Sequence, residues 1–402
     1  MVAGEQGGSG GLLYSLLTFF AKLSWLGRIM TIAVGGALSF AAQDLIRNPD
    51  EFSSRIGQAQ AFQRLGGAAS GELPLSAEAE ANLDRMIKQI GDHMAFELKN
   101  SKWDVSQGFV PWTIAQMTVA VAGLEELNKS AIERFVLNTM DRGCGCWREL
   151  SDKPEHVAAS GWVLYSLGHV NIDAPEAAID FMLATQSAEG WWPIYPSTAN
   201  DRHASTYATA WALLGLDKYR ARSKAGLENG AERTQKVTEA IQRGVRWLRR
   251  TRVPEEARWY DYPSYHTKIR AVGLAGLVHD VLHRFSRDDE MVPVDRLWMK
   301  TLDTRVLSAE ETDSSDGYIL RTNGQVAIDG TRHIRLPWSI VATVEAFPRG
   351  TRWEQARALA WIERILRRDI LSESVMSRHW VTSELLIALR RLKGAVRPRK
   401  IS

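Results

Sequence analysis

The chain has 402 residues, a formal net charge of +3 and 15 tryptophans, more than its 11 phenylalanines or 9 tyrosines. Its 45% hydrophobic and 24% charged content exclude wholesale disorder. The length admits two or three domains, or one large one, with a core that needs no disulfide or metal to hold it. The even charge balance singles out no charged partner. Every tryptophan except Trp25 falls between Trp103 and Trp380, so whatever needs them lies in that stretch.

In chain order, a glycine-rich start leads into an apolar run over residues 12–42, interrupted by Lys22 and Arg28. The uncharged piece from Ile29 to Ala42 would span about 21 Å as a helix, short of the roughly 30 Å hydrocarbon core of a bilayer. Extended back to Leu23 it reaches that thickness, with Arg28 near one end where it can snorkel to the headgroups. A membrane anchor or re-entrant segment is the first reading. A secretory signal ending near Ser39-Phe40-Ala41 is the second, although Glu5 is the only charge in the first twenty residues. A helix buried in the protein or in a partner is the third. The organisation read from the sequence is an apolar segment at 1–45, a helical connector at 46–110, a helical domain at 111–394 and a basic tail at 395–402. Within the connector, Gly66 to Gly71 is a flexible break. Ser76 is placed to cap a helix whose Leu83, Met86, Ile87, Ile90, Met94 and Leu98 recur at helical spacing.

The only cysteines, Cys144 and Cys146, stand in Arg142-Gly143-Cys144-Gly145-Cys146-Trp147. Thiols this close rarely meet disulfide geometry, which favours a reducing compartment and small residues in a tight turn. As a zinc site the pair lacks two further ligands at recognisable spacing. Neither a metal nor a cofactor is therefore expected.

From Pro111 onward two kinds of helix alternate. One kind is rich in Ala, Leu and Val and apolar on every side: Trp112–Leu127, Val157–Val170, Ala204–Tyr219, Lys268–Phe285, Pro337–Phe347 and Thr382–Leu392. A helix apolar all round is buried on all sides. The other kind, such as Ala174–Thr185 and Thr238–Thr251, carries its charges on one face. The alternation implies an inner and an outer ring of helices, though a plain solenoid also alternates helix types. No strand is expected; Gly317-Tyr318-Ile319-Leu320 is the nearest candidate.

The turns repeat as well. Phe181-Met182-Leu183-Ala184-Thr185-Gln186 is followed by Gly190-Trp191-Trp192. An earlier copy has Phe135-Val136, Met140 and Gly145-Cys146-Trp147. A later one has Trp247-Leu248, Arg252 in the Gln position and Trp259. A glutamine amide can cap backbone at an adjoining helix end while the indole covers it, and glycine permits the tight turn. The segment Phe181–Trp192 resembles the QW repeat of squalene–hopene cyclases, and Ser205–Leu216 looks like the inner helix that follows such a repeat. The resemblance to the terpene cyclase and protein prenyltransferase superfamily covers roughly residues 111–394 and is strongest over 178–216. It implies an all-α fold, an α/α toroid with an apolar central cavity, preceded here by the N-terminal apolar helix.

The chemical motifs of that superfamily are missing. The resemblance would require D-x-D-D to protonate an alkene, yet Asn200, Asp201, Arg202 and His203 stand at the start of the best inner helix. Asp288-Asp289-Glu290-Met291-Val292 lacks the last acid of D-D-x-x-D, and neither cysteine sits in a prenyltransferase-like zinc context. What remains are polar groups at the starts of inner helices, where such a ring opens its cavity. Asp201, His203, Asp261 and His266 are the catalytic candidates. Tyr207, Tyr262, Tyr265, Arg270, His333 and Arg335 are the ligand-binding ones. Asp201 and Ser205 are equally placed to act as helix caps. Near the C-terminus, Arg390, Arg391, Lys393, Arg397, Arg399 and Lys400 form a basic cluster suited to anionic lipid or to plain solvation. No nucleic-acid-binding motif accompanies it, so nucleic acid is not an expected partner.

Three functions follow as expectations. The first is a membrane-associated toroid, on the cytoplasmic side, that binds an apolar, isoprenoid-like ligand with or without catalysis; a secreted or periplasmic location stays open. The second is a non-enzymatic scaffold that docks another protein. The third is a carbohydrate-active toroid in which tryptophans stack sugars and Asp261 or His266 does acid–base work.

Overall fold

The computed structural model describes residues 49–66, 72–100, 103, 110–124, 127–149, 154–196, 203–223, 231–253, 255–263, 272–305, 308–314, 318–322, 325–329 and 332–396. The apolar stretch 12–42 lies outside them. Among the described residues no helix is long and apolar enough to cross a membrane. The chain divides into Met1–Gln60 and Ala61–Ser402. Of the first unit only the start of helix α1 (Pro49–Leu65) is described. All that follows concerns the second.

Six helices make the inner layer: α3 (Pro111–Val121), α5 (Val157–His169), α7 (Thr206–Ser223), α9 (Val272–Phe285), α11 (Arg335–Ala346) and α14 (His379–Val396). These are the six apolar segments read from the sequence, shifted by a few residues at their ends. Each packs on the next, and α14 packs back on α3, so the contacts close a ring. Burial on all sides explains the composition: nearly every residue of α3 and α5 is inaccessible to solvent.

The outer helices are α2 (Ala77–Asn100), α4 (Lys129–Thr139), α6 (Glu176–Thr185), α8 (Ala231–Arg250), α10 (Asp288–Thr301) and α12 (Arg352–Arg367). The first five each rest on one or two ring helices, and α12 packs on α2 and α10. Helix α2, expected in a connector, packs on α3, α12 and α14 and so belongs to this layer. Ser76 caps it, accepting from the Ala79 N–H at 3.3 Å. A single turn, α13 (Glu373–Met376), precedes α14.

Close approach within the ring depends on glycine. A Cβ on Gly161 of α5 would stand 2.5 Å from the Trp211 carbonyl oxygen of α7, and one on Gly215 would stand 2.8 Å from the Gly161 carbonyl oxygen. The contact is backbone to backbone and has no flexible atom to yield. Gly161→Ala is therefore expected to cost about 1–3 kcal/mol, read as a lower denaturant midpoint with an unchanged slope.

Two sequence expectations need correction. Strands do occur: β1 (Thr312–Ser314) pairs antiparallel with β4 (Arg332–Ile334), and β2 (Tyr318–Thr322) with β3 (Gln325–Asp329). They form an excursion between α10 and α11 that does not interrupt the ring. Second, Cys144 and Cys146 are joined as a disulfide, with Cα atoms 5.2 Å apart. Gly145 between them adopts φ +69°, a left-handed conformation that turns both side chains to the same side. The inference of a reducing compartment, which assumed that these thiols could not pair, loses its premise.

The repeated turns share one geometry. Trp147, Trp192 and Trp259 are fully buried. Their indole N–H groups donate to the carbonyls of Val136 at 2.8 Å, Met182 at 2.7 Å and Leu248 at 2.7 Å. Those carbonyls lie in the last turns of α4, α6 and α8, where helical backbone has no partner of its own. Gln186 donates to the Gly190 carbonyl at 3.0 Å and to the Ala240 carbonyl of the next outer helix at 2.9 Å. In the later copy Arg252 reaches the Glu256 carbonyl at 3.2 Å, the same four-residue step.

Candidate functional site

A cavity of about 300 Å³ opens at the ring's centre. Its walls come from the first two turns of all six ring helices: Trp112 and Gln116, Ala158 and Trp162, Tyr207, Leu274 and Leu277, Trp338, and Trp380 and Glu384. The aromatic groups form its floor. Trp162 and Trp211 stack with centroids 3.4 Å apart, and Trp338 meets Trp211 edge-on at 5.9 Å. At the far side of these rings a second, much smaller cavity of about 20 Å³ is bordered by Tyr165, Asp280, Arg284 and Arg391. Arg284 binds Asp280 and the Tyr165 hydroxyl, and Arg391 binds the other oxygen of Asp280. Burial opposes ionisation of Asp280, but the two guanidinium groups outweigh it and hold its carboxyl below the usual range.

Glu384 is the group sequence reasoning missed. Its carboxyl is buried against the cavity, accepting from the Trp338 indole at 2.7 Å and the Gln116 amide at 3.3 Å. Burial raises its pKa from 4.5 to about 8, against a small opposing effect of the Trp338 hydrogen bond. At neutral pH it is a protonated carboxylic acid and can donate a hydrogen bond. An acid inside an otherwise apolar segment, Thr382–Leu392, was the available signal. Nearby, burial first and the Glu384 carboxyl second push the Tyr207 phenol well above its ordinary value, so it also stays neutral. His156 at the rim accepts at Nδ1 from the Ala159 N–H at 3.0 Å, and burial lowers its pKa to about 4.

Four of the candidates named from the sequence converge here. Asp261 accepts at Oδ1 from the Ser205 hydroxyl at 3.0 Å and the Tyr207 N–H at 3.1 Å, while its Oδ2 lies 3.1 Å from His333 Nε2. It does not line the cavity; it straps the start of α7 to the strand leading into α11. His333, Tyr207 and Tyr262 do line it, with the His333 and Tyr207 rings 5.1 Å apart. Ser205 caps α7, accepting from the Ala208 N–H at 3.1 Å. Arg335 is directed elsewhere, onto Asp303 at 3.0 Å and onto Glu311. His203 is described but does not line the cavity. Asp201, Tyr265, His266 and Arg270 lie outside the described residues.

The basic C-terminal cluster is partly spent on neighbouring helices. Arg390 donates to the Ala120 and Ala122 carbonyls at the C-terminal end of α3, and Lys393 to Glu80 and Asp84 of α2. Arg397, Arg399 and Lys400 lie outside the described residues.

No protein-family model matches the sequence, and no curated protein matches it. Among solved structures, the chain is similar to an alanine variant of the type II terpene cyclase MstE from Scytonema in complex with its product, merosterolic acid A. The identity is 11%, the TM-score 0.46, and the match covers 79% of this chain and 98% of that one. It is also similar to a protein from Actinoplanes, at 14% identity and a TM-score of 0.45, covering 77% of this chain and 99% of that one.

Proposed function

We propose that the chain is a divergent α/α toroid, resembling terpene cyclases and prenyltransferases, whose central cavity binds a small apolar, isoprenoid-like ligand. The observation that carries this is the cavity itself. It lies at the low end of the ~300–1,000 Å³ range of small-molecule sites, is floored by tryptophan and holds the neutral carboxylic acid of Glu384 as well as a second carboxyl, Glu149. Such a wall takes up hydrocarbon, and the Glu384 O–H offers a hydrogen bond to a hydroxyl or carbonyl at the ligand's polar end. Binding fits better than alkene protonation, because the D-x-D-D motif that supplies the protonating acid in those cyclases is missing from the sequence. The N-terminal apolar segment would hold the protein at the membrane that supplies such a ligand; release of the full chain from membranes by high salt alone would contradict that part.

The ligand reading is tested with farnesol as probe and tryptophan fluorescence as readout. Saturable quenching is expected, weakened at least about tenfold by Ala159→Trp, which fills the cavity from α5. Leu277→Phe, a milder filling from α9, is expected to act in the same direction. Affinity unchanged in both folded variants would overturn it.

A further inference from the structure

His279 and His283 stand one turn apart on α9, and Asp295 faces them from α10. His279 and Asp295 are inaccessible to solvent, and His283 is partly accessible. Nε2 of His279 lies 2.9 Å from Asp295 Oδ1, and Nε2 of His283 lies 2.8 Å from the same oxygen. Of these two approaches, the one from His283 has hydrogen-bond geometry. Both ring nitrogens of His279, and Oδ2 of Asp295, are buried with no hydrogen-bond partner. Buried polar atoms are ordinarily satisfied, so two imidazoles crowding one carboxylate oxygen, with Nε2 of His279 left without a hydrogen-bond partner, call for a group at their centre.

We infer that His279, His283 and Asp295 bind one zinc ion. Their donor atoms lie within 4.8 Å of one another. Two imidazole nitrogens and a carboxylate oxygen suit zinc, whereas magnesium and calcium take oxygen shells. With Zn–N and Zn–O near 2.0–2.2 Å, tetrahedral donors sit roughly 3.3 Å apart, so the side chains need to part by only a few tenths of an ångström. Arg349, with Nε 3.6 Å from Asp295 Oδ2, holds the outer carboxylate oxygen and leaves Oδ1 facing the histidines. The partly accessible side of His283 leaves the fourth position to water. None of these residues lines the central cavity. The ion clips an inner helix to an outer one, and the inference does not rest on the ligand reading.

The test uses the purified full chain, stripped with a chelator and titrated with Co²⁺ and then Zn²⁺. Binding of one equivalent is expected, seen as a tetrahedral cobalt absorption band that zinc abolishes, and as a higher melting temperature with zinc than without. His283→Gln should weaken binding by more than about 100-fold, and Arg349→Lys by about tenfold. His283 is chosen because His279, at the core, is the riskier residue for folding. Failure to bind a stoichiometric ion, or binding by folded His283→Gln as tight as in the parent, would overturn the assignment.

Discussion

Glu384→Gln is expected to stabilise the protein increasingly as the pH rises. The parent carboxyl has an ordinary pKa of 4.5 when unfolded and about 8 when folded. Below pH 4.5 both states hold the proton, and the stability it contributes is fully present. Between the two values only the folded state holds it, so each pH unit removes about 1.4 kcal/mol, and the loss approaches about 5 kcal/mol as the pH passes 8. Glutamine keeps an acceptor for the Trp338 indole and has no proton to lose. Melting temperatures at pH 5 and pH 9 should therefore diverge for the parent and stay level for the variant. A parallel decline in both would show that another group carries the pH dependence.

Trp192→Ala is expected to be the more damaging substitution at neutral pH. It removes a fully buried indole, at about 3–5 kcal/mol, and leaves the Met182 carbonyl without the donor it now has at 2.7 Å. Trp192→Phe keeps most of the volume and loses only the bond, for about 1–3 kcal/mol. Urea midpoints that rank parent, Phe and Ala in that order support the capping role. Equal losses in Phe and Ala would assign the whole effect to the hydrogen bond, and a silent Phe variant would assign it to packing.

These two residues also show how far the sequence can be read. The ring helices were legible because an inner helix has no solvent face, so Val157–His169 reads as apolar and small residues with no acidic residue, lysine or arginine among them. The turns were legible because Gly and Trp recur where a helix end must be capped. Glu384 was overlooked because one acid in an apolar stretch carries no periodic signal. Its significance comes from Gln116 and Trp338, which lie 268 and 46 residues away. Asp261 was singled out, but that it caps another helix depends on contacts with Ser205 and Tyr207 that spacing does not reveal. Of the hairpin only Tyr318-Ile319-Leu320, within β2, stood out as a strand candidate, although Asn323-Gly324, a pair that favours two-residue hairpin turns, separates β2 from β3 in the sequence. His279 and His283 share a face of one helix by spacing alone, whereas Asp295 joins them only through packing.

The closure of α14 onto α3 has a consequence for how the molecule is made. A linear array of helical pairs can fold from one end, each repeat resting on the last. Here the first ring helix waits for a partner whose contact with it spans 268 residues, from Gln116 to Glu384, and the loop-closure entropy must be met before that contact can offset it. Folding should accordingly finish late, after α14 has been synthesised. Chains that stop short of it would expose the apolar side of α3 and invite capture by chaperones or aggregation. The helix that seals the circle is also the one that carries Glu384, so a molecule still open would lack both its last wall and its buried acid.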